Sequence, residues 1–310
     1  MRRVDKWLNA MPHPSMAVEI SSTHVAAARW TRARASLESF AVEEIAAGAI
    51  APSPIEANIA NADAVRGALR RVFSHVPHNS AGMAVLIPDP AVRVFILPFE
   101  SFPRRAEDAL PLLRWRLKKS VPFDVEETAI SWSRQQAHNG SLEIVAAVAR
   151  QKIIREYEEL LESLGANPGV VLSSTLSSLS LLEDRGATLY VRMAGKTLTT
   201  VVVQGGALRV YRSTDVAAGA GLLDPGVVLD EIFPTLAFFQ DTTGGTVDRA
   251  RLSGFGTREE IFRRALAEEL KCTVEPIARS EASMSLRDEE KDIVTRGLEP
   301  LAGWMHGGHA

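Results

Sequence analysis

The sequence predicts an α/β protein of two lobes, with one subdomain inserted into the first lobe. Three strands, a helix, a strand and a second helix occur in this order twice, about 170 residues apart, which indicates a duplicated βββαβα domain. A block at about 91–165 interrupts the first copy. Hydrophobic residues make up 46% of the 310 residues and charged residues 24%, enough for two buried cores. The predicted domains are an N-terminal segment (1–14), a first lobe (15–185) and a shorter second lobe with a helical tail (186–310).

The first lobe begins with three strands joined by short polar turns. Alternating apolar and polar residues indicate these strands, and a Pro-rich connector leads from the third into an amphipathic helix. Asn61 or Asp63 can cap this helix by accepting hydrogen bonds from its first free N–H groups. The predicted elements are strands at 16–20, 25–30 and 37–45, a helix up to residue 75, and a strand at 83–87.

The block at 91–165 has the elements of a separate subdomain. Its first helix must contain Pro111 in the first turn or be kinked by it, and Pro122 ends it. A β-hairpin and a strongly amphipathic helix follow, and Gly165 ends that helix. The predicted elements are a strand at 92–97, a helix up to about residue 120, strands at 128–135 and 142–149, and a helix at 151–164.

The second lobe repeats the pattern of the first, with a Gly-rich loop after its third strand. The predicted elements are strands at 188–193, 197–203 and 207–212, a helix near 227–240, a strand at 247–253, a helix at 258–270, a strand at 272–277 and a helical tail.

Composition excludes several classes of function. Lys and Arg number 35 against 38 Asp and Glu, so the net charge of −3 gives no electrostatic basis for binding nucleic acid. A single cysteine, Cys272, excludes a disulfide framework and a cysteine-based zinc site. No stretch predicts a membrane span or a signal peptide. The apolar residues of the N-terminal segment share one helical face, which favours a helix packed on the domain over a membrane-surface anchor.

Motifs for catalysis and metal binding are missing from the sequence. The segment AGKT at 194–197 looks like the end of a phosphate-binding P-loop, but residue 190 is Tyr where that motif needs Gly. The segment also joins two strands, so no helix N-terminus faces a phosphate there. The histidine pairs 75/78 and 306/309 lack a carboxylate ligand at motif spacing. We therefore predict no catalytic residue and no metal ligand.

Three segments resemble one family. The segment VEISSTHVAAARW (18–30) takes the place of a D-I-G-S-x-S-V-K-A-V motif. KKSVPFDVEETAISW (118–132) resembles a Pro-Phe signature after the helix of an inserted subdomain, and SLEIVAAVARQKIIREYEELLESLGANPGVV (141–171) resembles the strand, helix and turn that close it. With the βββαβα plan, these segments resemble the PilM-like proteins of type IV pilus machines. That family belongs to the actin-like ATPase superfamily with FtsA and GspL, so the resemblance implies a two-lobed actin-like (ribonuclease H-like) fold.

The resemblance also implies where a nucleotide site would lie. In this superfamily the first hairpin turn of each lobe cradles phosphate, and an acid on each lobe holds Mg²⁺ through water. In the first lobe the acid is Glu19 and the phosphate-facing glycine is replaced by Ser21. Ser22 and Thr23 remain as hydroxyl donors.

The second lobe departs further from the family pattern. Arg192 stands where the second acid belongs, and Ala194 replaces the second glycine. The adenosine-side glycines are kept as Gly254 and Gly256, and a small subdomain before the helix near 227–240 is cut down. We therefore expect no ATP hydrolysis and neither ATP nor Mg²⁺ as a cofactor.

Glu19 and Arg192 are expected to face each other across the cleft between the lobes. Two acids at these positions would need a metal ion between them, whereas Glu and Arg do not. One outcome is a salt bridge, direct or through one water, that holds the lobes together. The other is that Arg192 turns out to solvent, because a register slip of one residue would reverse its direction.

The resemblance implies a protein partner as well. In the family, a short N-terminal peptide of a PilN-like bitopic inner-membrane protein docks near the junction of the first lobe and the inserted subdomain. A basic rim and a Pro-Phe corner are candidates for this groove, although the cations also suit any helix C-terminus. The candidate residues are Arg114, Arg116, Lys118, Lys119, Pro122 and Phe123.

Three functions follow as expectations. The first is a non-enzymatic cytoplasmic scaffold of a type IV pilus or related secretion complex, peripheral to the inner membrane through its PilN-like partner. The second is an actin-like ATP-binding switch, and the third is a GspL-like adaptor of a type II secretion motor ATPase. An intact inserted subdomain beside altered nucleotide motifs favours the first.

Overall fold

The computed structural model describes residues 13–31, 36–78, 81–183, 185–217 and 222–307. The predicted helical face of the N-terminal segment, most of the turn at 31–36, part of the Gly-rich loop at 217–221 and His309 lie outside the described residues. The described strands are β1 (Met16–Ile20), β2 (His24–Thr31), β3 (Ser36–Glu44), β4 (Met83–Ile87), β5 (Arg93–Phe99), β6 (Thr128–Gln136), β7 (Leu142–Arg150), β8 (Pro168–Ser173), β9 (Ala187–Ala194), β10 (Thr197–Gln204), β11 (Ala207–Asp215), β12 (Arg249–Ser253) and β13 (Thr273–Pro276). The described helices are α1 (Ala62–His75), α2 (Ala106–Leu117), α3 (Gln151–Glu162), α4 (Ser174–Ser178), α5 (Pro225–Thr243), α6 (Glu259–Leu270), α7 (Glu281–Ser285), α8 (Asp288–Thr295) and α9 (Glu299–Gly307).

The two lobes contain five-stranded sheets with the same strand order. In the first lobe this order is β3-β2-β1-β4-β8, and in the second it is β11-β10-β9-β12-β13. The first three strands of each lobe are antiparallel, and the last two run parallel to the central strand. Every residue of β1 and β4 is buried, as expected for apolar strands covered on both faces. The duplication predicted from the sequence is therefore confirmed.

Strand β8 is an element that the sequence analysis did not predict. It extends the first sheet beyond β4, in the position that β13 takes in the second. Its sequence begins with Pro168 and Gly169, which are typical of turns. Proline is tolerated there because it stands at the first residue of the strand.

The inserted subdomain has a sheet of its own, in the order β5-β7-β6, with α2 packed on it. Pro111 lies inside α2 and not in its first turn. Its ring removes one backbone hydrogen bond, yet the helix continues to Leu117. At the start of α1, the side chain of Asn61 accepts a hydrogen bond from the backbone of Ala64, so Asn61 is the cap.

The helical tail packs on the first lobe, although chain order assigned it to the second. Helix α9 contacts α4 and the strands β1 and β2. Trp304 is fully buried, stacks on the ring of His13 at 4.1 Å, and donates a hydrogen bond from Nε1 to the Pro14 carbonyl at 3.1 Å. The Ser177 hydroxyl donates to the carbonyl of Pro300 at 2.8 Å. Residues far apart in sequence thus form one core.

Within the described ranges, no helix combines the length and the apolar character that a bilayer span requires.

Candidate functional site

The first hairpin turns of the two lobes lie against each other. Gly195 has φ +62° in the turn between β9 and β10, and a Cβ there would collide with the hydroxyl of Ser22 in the turn between β1 and β2. Thr23 lies beside the same point. Ala194 is the last residue of β9, and Lys196 completes a turn between two strands, as predicted for the AGKT segment. No open gap therefore separates Ser22 from Gly195.

Ser21 closes its own turn. Its hydroxyl donates to the carbonyl of His24 at 2.9 Å and accepts the backbone N–H of the same residue, also at 2.9 Å. The backbone N–H of Thr23 also donates to this hydroxyl, at 3.2 Å. Backbone N–H groups of this kind are what a phosphate-binding turn offers to a ligand. Here the Ser21 hydroxyl already accepts the N–H groups of Thr23 and His24.

Glu19 and Arg192 form a direct salt bridge between the lobes. The Nη2 of Arg192 lies 2.9 Å from Oε1 of Glu19, and the two side chains are 4% and 0% exposed. The predicted salt bridge is confirmed, and the alternative, in which Arg192 turns out to solvent, is wrong. The register that places Arg192 inward pairs it with Thr199 on β10 and Ser253 on β12.

Two further carboxylates contact the same guanidinium, and the sequence analysis predicted neither. The Nε of Arg192 lies 2.7 Å from Oε1 of Glu299, and its Nη1 lies 3.6 Å from Oδ2 of Asp89. We call Glu19, Asp89, Arg192 and Glu299 the Arg192 cluster. It draws on three separate parts of the chain, namely the first lobe, the second lobe and the tail.

Asp89, which follows β4, is held by donors from both lobes. From the first lobe, the Ser173 hydroxyl donates to it at 2.6 Å, and Thr175 donates from its backbone N–H at 2.9 Å and its hydroxyl at 2.5 Å. From the second lobe, the hydroxyls of Thr199 and Tyr211 donate at 2.9 and 3.1 Å. A buried carboxylate with this many donors is well satisfied.

Glu299 brings the tail into the site. It is the first residue of α9, where a negative charge stabilises a helix. Its Oε1 accepts hydrogen bonds from the hydroxyls of Ser253 at 2.9 Å and Tyr190 at 3.3 Å, both in the second lobe. Burial raises the pKa of Tyr190 well above its ordinary value, so the phenol stays neutral and donates. Helix α9 therefore packs on the first lobe while its first side chain binds the second.

The charges of the cluster reinforce one another. Burial lowers the pKa of the Arg192 guanidinium, but the charges of Glu299, Glu19 and Asp89 outweigh burial and raise it above its ordinary value. Burial raises the pKa of Glu19, but the interactions with His24 and Arg192 outweigh it and leave the pKa below its ordinary value. The Nε2 of His24 lies 3.6 Å from Oε2 of Glu19. The Glu19–Arg192 ion pair is thus present at neutral pH.

The adenosine-side glycines have local structural roles. Gly254 has φ +79°, and a Cβ there would collide with the carbonyl oxygen of Met193 on the neighbouring strand β9. Close approach of two backbones therefore requires glycine at 254. Gly256 has φ +55° in a short helical turn with open space around it.

Across the described residues, no three His, Cys, Asp or Glu side chains are arranged to hold a metal ion.

A second candidate site lies in the inserted subdomain, at the edge of β5. It is a pocket of about 510 Å³, and its apolar side chains come from β5 and from the turn after α2. The lining residues are Arg93, Val94, Phe95, Lys119, Ser120, Val121 and Pro122.

The structure brings only some of the predicted docking residues to this pocket. Lys119 and Pro122 line it. Arg114 instead pairs with Glu126 at 3.3 Å, and Phe123 is half-buried against the subdomain core. Arg116 and Lys118 are exposed and are not among the lining residues.

The inserted subdomain also contacts the second lobe, which the sequence did not predict. The side-chain amide of Gln135 donates to the carbonyl of Leu208 at 2.6 Å and accepts the N–H of the same residue at 3.0 Å. Arg209 pairs with Glu143 at 3.3 Å. The pocket is thus on a subdomain held to both lobes.

Comparison with solved structures gives the fold. No family model matches the chain, and no curated protein matches it. A structure described as a PilM-PilN type IV pilus biogenesis complex aligns with a TM-score of 0.74 and 16% identity over 96% of this chain and 99% of that one. A protein of unknown function with an actin-like ATPase fold, from Bacteroides thetaiotaomicron, aligns with a TM-score of 0.53 and 11% identity over 89% and 96% of the two chains. The cytoplasmic domain of EpsL, an inner-membrane component of the Vibrio cholerae type II secretion system, aligns with a TM-score of 0.48 and 13% identity over 76% and 80%. The chain is therefore a protein of the two-lobed actin-like fold, with a subdomain inserted into its first lobe.

Proposed function

We propose that this protein is a non-enzymatic scaffold of a type IV pilus assembly complex, located in the cytoplasm and held at the inner membrane by a PilN-like partner. The observation that carries the proposal is the pocket at the edge of β5, on the inserted subdomain beside which the resembled family docks its partner. The similarity to a structure that contains PilM together with PilN supports the same partner class.

The chemistry of the pocket suits a peptide. Val94, Phe95 and Val121 supply apolar surface, while Arg93 and Lys119 supply positive charge. Strand β5 lies at one end of its three-stranded sheet, so it can pair with an added strand along its outer edge. A short extended segment with apolar side chains beside an acidic one fits this arrangement.

The interlobe site supports a role without nucleotide chemistry. A magnesium nucleotide needs acids on both lobes, but the second position carries the cation Arg192, already bound by three carboxylates. In the turn that would cradle phosphate, the backbone N–H groups of Thr23 and His24 already donate to the hydroxyl of Ser21. These residues do not fit Mg·ATP, and the protein closes its cleft with its own side chains instead.

Millimolar Mg·ATP should leave the melting temperature unchanged. A ligand present at about a hundred times its Kd would add about 2.7 kcal/mol of stability, a shift of several degrees. Differential scanning fluorimetry with ATP, with and without Mg²⁺, measures this directly. A magnesium-dependent rise of several degrees would contradict the proposal and favour the ATP-binding switch.

The N-terminal cytoplasmic peptide of a PilN-like protein encoded near this one should bind with micromolar affinity, about −8 kcal/mol. Lys119→Glu should weaken binding about tenfold or more, because it reverses one of the two charges in the pocket. Lys152→Glu, an exposed charge reversal on α3, is the matched control and should bind as the parent does. Isothermal titration calorimetry gives both affinities.

Two further results would bear on the docking site. Phe123→Ala should destabilise the inserted subdomain more strongly than it weakens peptide binding. Phe123 packs against the core of the subdomain and does not line the pocket. Equal affinity for the parent and Lys119→Glu would place the peptide elsewhere. Capture of a type II secretion ATPase, with no affinity for the peptide, would favour the adaptor function instead.

A further inference from the structure

The C-terminal end of α2 exposes a large aromatic side chain to solvent. Trp115 is 72% exposed, whereas Trp30 and Trp304 are buried and Trp132 is half-buried. Burial of an indole contributes more apolar surface than almost any other side chain, so exposure on this scale is unfavourable in water alone. Packing within the described part of the chain does not explain why this position carries Trp.

Two exposed lysines lie beside Trp115, and a third exposed cation, Arg116, follows it directly in the chain. Lys118 and Lys119 follow it by three and four residues, which places them on the same side of a helical turn, and Arg116 is adjacent. Among the described residues, none of the three forms an ion pair. We call Trp115, Arg116, Lys118 and Lys119 the Trp115 face. The helix dipole accounts for cations at this end of a helix but not for the exposed indole.

Indole and cationic side chains together suit the surface of an anionic bilayer. Tryptophan is favoured at the membrane–water interface, where its ring reaches the acyl boundary and its N–H stays among the headgroups. Each Lys or Arg near an anionic leaflet adds electrostatic attraction that falls off within about one Debye length.

The Trp115 face is continuous with the pocket at the edge of β5. Lys119 belongs to both, and the pocket lies directly after the last turn of α2. The occupant proposed for that pocket is the cytoplasmic end of a membrane-spanning chain. A peptide of that kind holds the rim of its pocket close to the bilayer. This step rests on the proposed function.

We propose that the Trp115 face binds the anionic lipid headgroups of the inner membrane. The indole inserts at the interface and the three cations contact phosphate groups. The peptide and the lipid surface then hold the inserted subdomain at two adjacent points.

The test is co-sedimentation of the full chain with vesicles. Vesicles of phosphatidylcholine with about a third phosphatidylglycerol should sediment the protein, and vesicles of phosphatidylcholine alone should not. Salt at about 0.5 M should release it. The triple variant Trp115→Ala/Arg116→Glu/Lys118→Glu should bind the anionic vesicles about tenfold or more weakly. All three side chains are exposed, so the variant should fold normally.

A matched control separates the face from net charge. Arg70→Glu/Lys152→Glu makes the same change in net charge at two exposed positions outside this face, and should bind anionic vesicles as the parent does. Equal binding to both vesicle types, equal loss in both variants, or no binding by the parent would overturn the proposal.

Peptide affinity measured without lipid distinguishes this proposal from the proposed function. The triple variant retains Lys119, so it should bind the PilN-like peptide within about threefold of the parent while losing vesicle binding. Loss of peptide affinity in this variant, with no vesicle binding by the parent, would mean that these cations recognise an acidic protein segment. Vesicle binding without peptide binding would leave the lipid contact standing and remove the docking role.

Discussion

Arg192→Ala should destabilise the protein by about 3–5 kcal/mol, because it leaves buried carboxylates without their opposing charge. Glu19 and Glu299 lie within 2.9 Å of the guanidinium and are almost fully buried. Urea unfolding at neutral pH, followed by tryptophan fluorescence, measures the change. Arg212→Ala is the control, since Arg212 lies on β11 with a side chain that is 38% exposed, and its pair with Glu231 should contribute at most about 1 kcal/mol.

Coupling within the Arg192 cluster gives this prediction a second test. Glu19→Ala should cost less than Arg192→Ala, because Glu299 and Asp89 still neutralise the guanidinium. The double variant Glu19→Ala/Arg192→Ala should be more stable than the sum of the single losses implies, by about 0.5–3 kcal/mol. Additive losses would show that the contact does not couple the lobes.

The pH dependence of stability should differ between the parent and Arg192→Ala. In the parent the pKa of Glu19 is below its ordinary 4.5, so this group stabilises the fold above that pH and the contribution is lost as pH falls through the folded pKa. Removing Arg192 takes away one of the interactions that oppose burial, so the pKa of Glu19 is higher in the variant than in the parent. The stability deficit of the variant should therefore shrink as pH falls through the pKa that Glu19 has in the variant.

Trp304→Ala should cost about 3–5 kcal/mol, the usual loss for removing a fully buried aromatic side chain. Trp304 is 0% exposed and joins the tail to the start of the first lobe through His13 and Pro14. Urea unfolding of Trp115→Ala is the control, because that indole is 72% exposed and its loss should stay within about 0.5 kcal/mol. Equal losses for both variants would mean that α9 contributes little to the first lobe.

The sequence predicted most elements of the fold, because periodicity and caps are local signals. The run at 83–87 and the cap at Asn61 are examples where neighbouring residues determine the structure. Local patterns do not predict strand β8, because its first residues, Pro168 and Gly169, are typical of a turn. Only pairing with β4 makes this segment a strand. Long-range pairing of this kind leaves little trace in a short window of sequence.

The site was predictable only where the resemblance supplied positions. The resemblance predicts the pairing of Glu19 and Arg192, because both occupy defined positions in the first hairpins of the resembled family. Asp89 and Glu299 have no motif spacing with Arg192, and tertiary packing alone brings residues 89, 192 and 299 together. The one available signal was Asp89 itself, a polar residue two positions after the wholly apolar strand β4, which has a strand on each side in its sheet.

The packing of α9 also constrains how the protein is made. The hydrogen bond between Trp304 and Pro14 joins residues 290 positions apart, and β1 meets α9 in one core. Domains usually fold in order as they leave the ribosome. Here the amino-terminal lobe is synthesised first but cannot complete its packing until residue 307 has been translated. A nascent chain stopped anywhere before α9 would leave the apolar surface of β1 and α4 exposed to chaperones. The first lobe therefore completes its folding only after the second lobe and the tail have been synthesised.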